Sequence, residues 1–178
     1  MSVLPVHSHN FDDYAVFVDA SPFGRGVFAD RDFRAGEPLL LLFGPVITFD
    51  EAILKGQQES YALQIGPRTY IDTAEPGCYV NHSCTPNAGI IDGFRLTAIR
   101  DIAAGTEILY DYSTTMQEDH WTMLCRCGTA DCRGLVLDFA LLPRHLQQKY
   151  LSAGIVQPYI ASGSPWFRRA SIGHVRRY

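Results

Sequence analysis

The sequence predicts an α+β fold with a β-dominated core, and three observations carry that reading. Its apolar, β-branched and aromatic runs are short and separated by Gly- and Pro-containing turns. A single segment, Pro143 to Ala153, has the sustained spacing of an amphipathic helix. No internal repeat or linker divides the chain, and 178 residues suffice for one self-sufficient core.

The elements follow in order. After a loose leader, Tyr14 to Val18 is strand-like, and Ser21 to Gly26 is turn chemistry leading into a short strand, Val27 to Ala29. The turn Arg34 to Pro38 precedes a buried strand, Leu39 to Phe43, the longest apolar run and far too short to span a membrane. Asp50 caps a short helix that runs to Lys55 and stops at Gly56. Tyr61 to Ile65 and Thr69 to Ile71 form a hairpin around Gly66, Pro67 and Arg68. A polar stretch from Asp72 to Asn87 follows, then strands near Phe94 to Ile99 and Glu107 to Tyr110. Leu142, Leu146, Tyr150 and Leu151 share one face of the late helix, which Gly154 ends.

Composition narrows the function. With 47% hydrophobic and 19% charged residues the chain is globular. A net charge of −4 argues against sequence-independent nucleic-acid binding, which needs a basic footprint. The N-terminus has no basic region followed by an apolar stretch, so no secretory signal is expected. Five cysteines, an odd count in a chain with no export signal, point to an intracellular, reducing compartment.

Three of those cysteines cluster. Cys125, Cys127 and Cys132 form a C-x-C-x4-C pattern in which Arg126, Asp131 and Arg133 make the segment too polar for a core. Closely spaced thiolates reach one tetrahedral zinc at low loop-closure cost, and Gly128 and Gly134 give the turn its freedom. A closed set of four ligands is structural. Cys84, Cys78, His120 and His82 are the candidates for the fourth.

Four segments then agree, in identity and order, with one family. Tyr79 to Asn87 (Tyr-Val-Asn-His-Ser-Cys-Thr-Pro-Asn) closely resembles the Asn-His-Ser-Cys-x-Pro-Asn signature of SET-domain methyltransferases. Gly24 to Ala29 is similar to the family's Gly-x-Gly motif, and Gly105 to Tyr112 to its Glu-Leu-x-Tyr-Asp-Tyr segment. Cys125 to Gly134 resembles the cysteine-rich post-SET motif. The resemblance covers about residues 20 to 136. It implies a SET-type fold of several short curved β-sheets with a pseudoknot-like crossing, a zinc-bound post-SET segment and a C-terminal helix. It divides the chain into a leader (1–13), the SET domain (14–115), the zinc segment (116–138), a helical extension (139–160) and a basic tail expected to be mobile (161–178).

The function implied is transfer of a methyl group from S-adenosyl-L-methionine (AdoMet) to the ε-amine of lysine in a protein substrate, a histone tail or another basic protein. By this resemblance Phe23, Gly24, Arg25, Gly26, Asn81, His82 and Tyr112 bind AdoMet, and Cys84 completes the zinc site with Cys125, Cys127 and Cys132. Tyr112 matches the catalytic tyrosine, orienting amine and methyl. Tyr110 stands where the family carries phenylalanine or tyrosine; its hydroxyl implies mono- or dimethylation. Tyr61 and Tyr110 line the substrate channel. For each tyrosine, core packing with a satisfied hydroxyl is the competing explanation.

The chain is similar to stand-alone SET proteins of bacteria as well as to eukaryotic histone enzymes, so a cytoplasmic or a nuclear, chromatin-associated setting is implied accordingly. Two departures stand out. Leu42-Phe43-Gly44-Pro45 lacks the tyrosine and acid of the family's Tyr-x-Gly-Glu, and Cys78 and Tyr79 replace its usual arginine and phenylalanine. The first of these keeps a second reading open, a non-catalytic SET-like module that binds AdoMet or a peptide.

Overall fold

The computed structural model describes residues 14–163; the expected leader and most of the basic tail lie outside the described residues. The described residues form five small sheets of two or three strands each. The hairpin β1 (Val16–Ser21) and β2 (Gly24–Ala29) opens the fold. The strand β3 (Pro38–Leu41) follows, then β4 (Val46–Thr48), the one-turn helix α1 (Phe49–Ile53), and β5 (Ala62–Gly66) with β6 (Thr69–Asp72). After β7 (Asn81–His82) come β8 (Ala88–Ile91), β9 (Arg95–Ala98) and β10 (Leu109–Tyr110). The small hairpin β11 (Met123–Leu124) and β12 (Leu135–Val136) precedes helices α2 (Arg144–Ser152) and α3 (Pro158–Gly163).

The β-dominated α+β expectation is met, and three local readings are corrected. The Gly-x-Gly segment is not a turn leading into a strand. Ser21 pairs with Gly24, so the turn is confined to Pro22 and Phe23, and Gly24 already belongs to β2. Asp50 does not cap α1. Thr48 does, because its hydroxyl accepts from Glu51 N at 3.3 Å while Glu51 Oε2 accepts from Thr48 N at 2.7 Å, a reciprocal box that a lone Asp cannot offer. Asp50 instead sits in the first turn and pairs with Arg68 at 2.9 Å. Residues 161–163, assigned to the tail, belong to α3.

The main core is formed by Val27, Leu39, Leu40, Ile90, Leu96 and Ile108 with their neighbours, gathered mainly from β2, β3, β8 and β9. The strand β8, absent from the sequence reading, forms one edge of the sheet β3-β9-β8. Its Gly89 allows the C-terminal segment to close on the sheet: a Cβ there would lie 2.7 Å from Ile155 Cβ. Phe139, Leu142, Tyr150, Ile155 and Ile160 form a second apolar cluster there, so the predicted apolar face of α2 is used. No helix among the described residues is long and apolar enough to cross a membrane.

Candidate active site and metal centre

Two distant segments meet as a parallel pair, Asn81 beside Leu109 and His82 beside Tyr110. This pairing brings the polar run after Val80 against the tyrosine-rich end of β10. Asn81 Nδ2 donates to Arg25 O at 2.9 Å and to Glu107 Oε1 at 2.8 Å. Its amide hydrogens are therefore spent on tying β2 to the segment that precedes β10. Gly26 is required for that close approach, since a Cβ would lie 2.4 Å from Glu107 Oε1. Glu107 was not singled out from the sequence, although it opens the Glu-Ile-Leu-Tyr segment.

A cleft of about 480 Å³ opens between these strands and the cysteine segment. Phe23, Gly24, Arg25, Asn81, His82 and Tyr112 line it, together with Tyr79 and Met123 to Cys127. Its size is that of a small-molecule site, roughly 300–1,000 Å³. Gly26, expected among the cofactor residues, lies behind the wall against Glu107 and not in the lining. The guanidinium of Arg25 stacks 4.0 Å over the Tyr79 ring and donates to its hydroxyl at 2.7 Å. That hydroxyl in turn donates to Glu75, which pushes the phenol up to about 12.

A second, narrow cavity of about 30 Å³ also has Tyr112 in its lining. Tyr110, Tyr112, Tyr70, Phe49 and Trp121 give it aromatic walls, and Glu59 and Glu118 bring carboxylates. Burial pushes the Glu118 carboxyl up, and the Tyr70 hydroxyl donates to it. Tyr112 and Ser60 line both spaces. Tyr61, expected on the channel wall, lines the larger cleft instead, edge-on to Tyr79 at 6.0 Å.

Tyr110 and Tyr112 do converge, with ring centroids 4.8 Å apart, but not as alternate residues of one strand. The strand ends at Tyr110, and Tyr112 begins a 3-10 turn whose N-cap, Asp111, accepts from Ser113 N. Tyr112 is held at both ends: its hydroxyl donates to Val80 O at 2.9 Å and its backbone N–H to His82 Nδ1 at 3.2 Å. Burial holds its phenol pKa well above the ordinary 10, so it stays neutral. Leu42 is buried and lines neither space; it packs where a Cβ on Gly77 would meet its Cδ2 at 2.7 Å.

The thiols of Cys84, Cys125, Cys127 and Cys132 lie within 4.8 Å of one another and could hold a metal ion. Cys84 and Cys125 are 3.7 Å apart, close to the ~3.8 Å edge of a tetrahedron whose metal–sulfur bonds are about 2.3 Å. Backbone N–H groups of Arg133 and Cys127 point at Cys84 Sγ and Cys125 Sγ at 3.4 and 3.5 Å, the donors that bound thiolates accept from. Gly128 and Gly134 both have positive φ. Of the other candidates, His120 is paired with Glu59 at 3.3 Å and Cys78 lines the cleft, while His82 contacts Cys84 from outside the four. A four-thiolate set is closed, which suits a structural zinc.

Asp111, Arg133 and Tyr150 form a buried polar cluster beside the site that sequence reasoning missed. Arg133 forks onto both oxygens of Asp111 at 2.7 and 2.8 Å, and the Tyr150 hydroxyl donates to Asp111 Oδ2 at 2.8 Å. Asp111 and Arg133 lay inside quoted motifs, which was a signal; nothing in the sequence pointed α2 at Asp111.

Comparison with known proteins agrees with this arrangement. Residues 24–113 match the SET domain. The chain is 30% identical over 178 aligned residues to "Histone-lysine N-methyltransferase ASHH3" of Arabidopsis thaliana, covering 80% of this chain and 48% of that protein. It is 34% identical to "Variant-silencing SET domain-containing protein" of Plasmodium falciparum, over 58% of this chain and 5% of the relative. An H3 lysine-4 specific histone-lysine N-methyltransferase of Emericella nidulans is 30% identical over 62% of this chain and 11% of its own length. The chain thus spans less than half of each of these relatives.

Among solved structures, KRYPTONITE in complex with mCHG DNA and SAH has a TM-score of 0.56 at 23% identity, covering 70% of this chain and 29% of its own; it shows the shared fold. ctPRC2 in an autoinhibited conformation bound to S-adenosylmethionine has a TM-score of 0.50 at 25% identity, over 59% and 16%. Half of this chain, carrying both the β2 glycines and the parallel pairing of β7 with β10, thus falls within one family match: the chain belongs to the SET domain family.

Proposed function

We propose that this chain is a protein-lysine methyltransferase that takes its methyl group from AdoMet, favouring mono- or dimethylation. One observation carries the reading: Tyr112 lines both a wide cleft of cofactor size and a narrow aromatic cavity, with a neutral hydroxyl anchored on Val80 O. Transfer between two substrates that enter from opposite sides needs such a shared wall. The histone-lysine methyltransferase relatives and the AdoMet-bound SET structure support the same assignment. They also support a lysine in a histone tail or another basic protein as acceptor, and a chromatin setting in a eukaryote.

In this reading Phe23, Gly24, Arg25 and Asn81 hold AdoMet in the wide cleft, with His82 and Tyr112 at its inner end. AdoMet supplies an electrophilic sulfonium methyl. The residues of the chain align a neutral amine with it and exclude water. The aromatic walls of Tyr110, Tyr112 and Trp121 desolvate the incoming side chain, which lowers its amine pKa. The Tyr112 and Tyr110 hydroxyls orient the amine, and Tyr110 restricts room for further methyl groups. Residues 14–115 form the SET portion, 116–138 the zinc segment that closes the cleft, and 139–160 the helical support.

Leu42 favours a second reading. Its place in the core means that no tyrosine occupies the position where the family's Tyr-x-Gly tyrosine stands, which suits a module that binds AdoMet or a peptide without turnover. The test is transfer of labelled methyl from AdoMet to lysine peptides and basic proteins, with zinc present. Labelling that is lost in Tyr112→Phe supports the enzyme. AdoMet binding with no labelled acceptor supports the module.

A further inference from the structure

His82 lies between two groups that this site must hold still. Its Nδ1 is 3.2 Å from the backbone nitrogen of Tyr112, and its Nε2 is 3.4 Å from Cys84 Sγ. The imidazole is buried, and its ring meets the Tyr112 ring at 5.3 Å. A backbone N–H can only donate, so Nδ1 must be the unprotonated nitrogen. The one proton of a neutral imidazole then sits on Nε2 and points at sulfur.

The neighbouring carboxylate offers no competing arrangement. Asp111 Oδ1 is 3.6 Å from Nδ1, but each of its oxygens already has two donors. Oδ1 accepts from Arg133 and Ser113 N, and Oδ2 accepts from Arg133 and the Tyr150 hydroxyl. With about four lone-pair sites on a carboxylate, none is left for the histidine. The Nε2–H proton therefore has Cys84 Sγ as its partner. A thiolate accepts and does not donate, so a metal-bound Cys84 matches this tautomer.

We infer that His82 is a positioning residue whose imidazole couples the metal ligand Cys84 to the backbone of Tyr112. The inference rests on the metal reading given above. Nε2–H donates to the Cys84 thiolate, and Nδ1 fixes the start of the turn that carries Tyr112. A ligating sulfur displaced by a fraction of an ångström is thereby felt at the tyrosine that lines both cavities, without any metal entering the chemistry.

Two substitutions separate the two ends of the link. Asn places its polar atom near the position of Nδ1, and Gln near that of Nε2. On the full chain, His82→Asn should release zinc to a chelator about 10-fold faster and shift the thiolate-to-metal band of the cobalt-loaded protein, while the Tyr112 amide stays protected from exchange. His82→Gln should release zinc at the wild-type rate but expose the Tyr112 amide to exchange and lower kcat. Equal zinc release and equal amide protection in both variants overturns the link.

The wild type supplies a check that needs no substitution. Long-range ¹H–¹⁵N spectra of the histidine rings should place the His82 proton on Nε2; a proton on Nδ1 overturns the proposal even if both variants fail to fold. Wild-type protein that retains no zinc removes the metal reading and this link together, whereas methyl transfer, measured separately, judges the function.

Discussion

The guanidinium of Arg133 and the carboxylate of Asp111 face each other squarely, with paired hydrogen bonds of 2.7 and 2.8 Å. Arg133 directly follows the metal-site residue Cys132, and Asp111 lies between Tyr110 and Tyr112. A single ion pair thus fastens the cysteine segment to the tyrosine pair, with the Asp111 side chain fully buried and Arg133 nearly so. Removing one partner leaves a buried charge unpaired, which costs more than the pair itself contributes. Asp111→Asn should therefore destabilise the chain by about 3–5 kcal/mol, read as a lower urea midpoint at unchanged slope.

The metal centre predicts a contrast between two candidate ligands. Cys84→Ser should lower zinc content and speed its release, because it opens a closed four-thiolate set. His120→Ala should leave zinc retention at the wild-type level, since that imidazole is engaged with Glu59. Metal analysis of both purified variants checks this; a zinc-free His120→Ala with a zinc-bound Cys84→Ser would move the fourth ligand.

Tyr112 makes a prediction about pH. Deprotonation of an amine acceptor makes activity rise with pH. A tyrosine of ordinary pKa would ionise near 10 and reverse that rise by losing its hydroxyl proton. Burial raises the Tyr112 pKa well above that value, so ionisation is postponed and activity should not yet descend at about pH 10. Tyr112→Phe should lower kcat by about 10²-fold through misalignment while keeping AdoMet affinity within a few-fold. Steady-state rates across pH, with binding measured by calorimetry, test both statements.

Gly89 tests the C-terminal support. An added Cβ would lie 2.4 Å from Ile155 Cγ2, so Gly89→Ala should overpack this contact and cost about 1–3 kcal/mol. The expected readout is a lower melting temperature with unchanged zinc content. An unchanged melting temperature would mean that the α2–α3 segment repacks freely.

The motifs were legible because chemistry is local there. A C-x-C-x4-C run limits its own geometry, and the Asn-His-Ser-Cys-Thr-Pro-Asn and Glu-Ile-Leu-Tyr-Asp-Tyr runs are each continuous in sequence. The helix at 144–152 was legible from its apolar spacing, and its buried Tyr150 agrees. The strand β8 was not: Ala88 and Gly89 have low strand propensity, and only pairing with β9 makes Ala88–Ile91 extended. Asp50 misled because an acidic residue before a helical run resembles a cap, while the Thr48–Glu51 box lies two residues earlier.

The sequence by itself determined the four ordered motifs, the thiols available to a metal and the tyrosines available to a site. Which of four candidates lies beside Cys125, Cys127 and Cys132 is a matter of tertiary structure, where Cys84 reaches within 3.7 Å of Cys125 across 41 positions. The roles of Glu107, Arg133 and Tyr150 were decided in the same way. Each acts through a partner at least 20 residues distant, and such contacts depend on how sheets and helices pack. Spacing along a chain fixes what a short loop can reach; only the packed core fixes which distant side chains share one buried carboxylate.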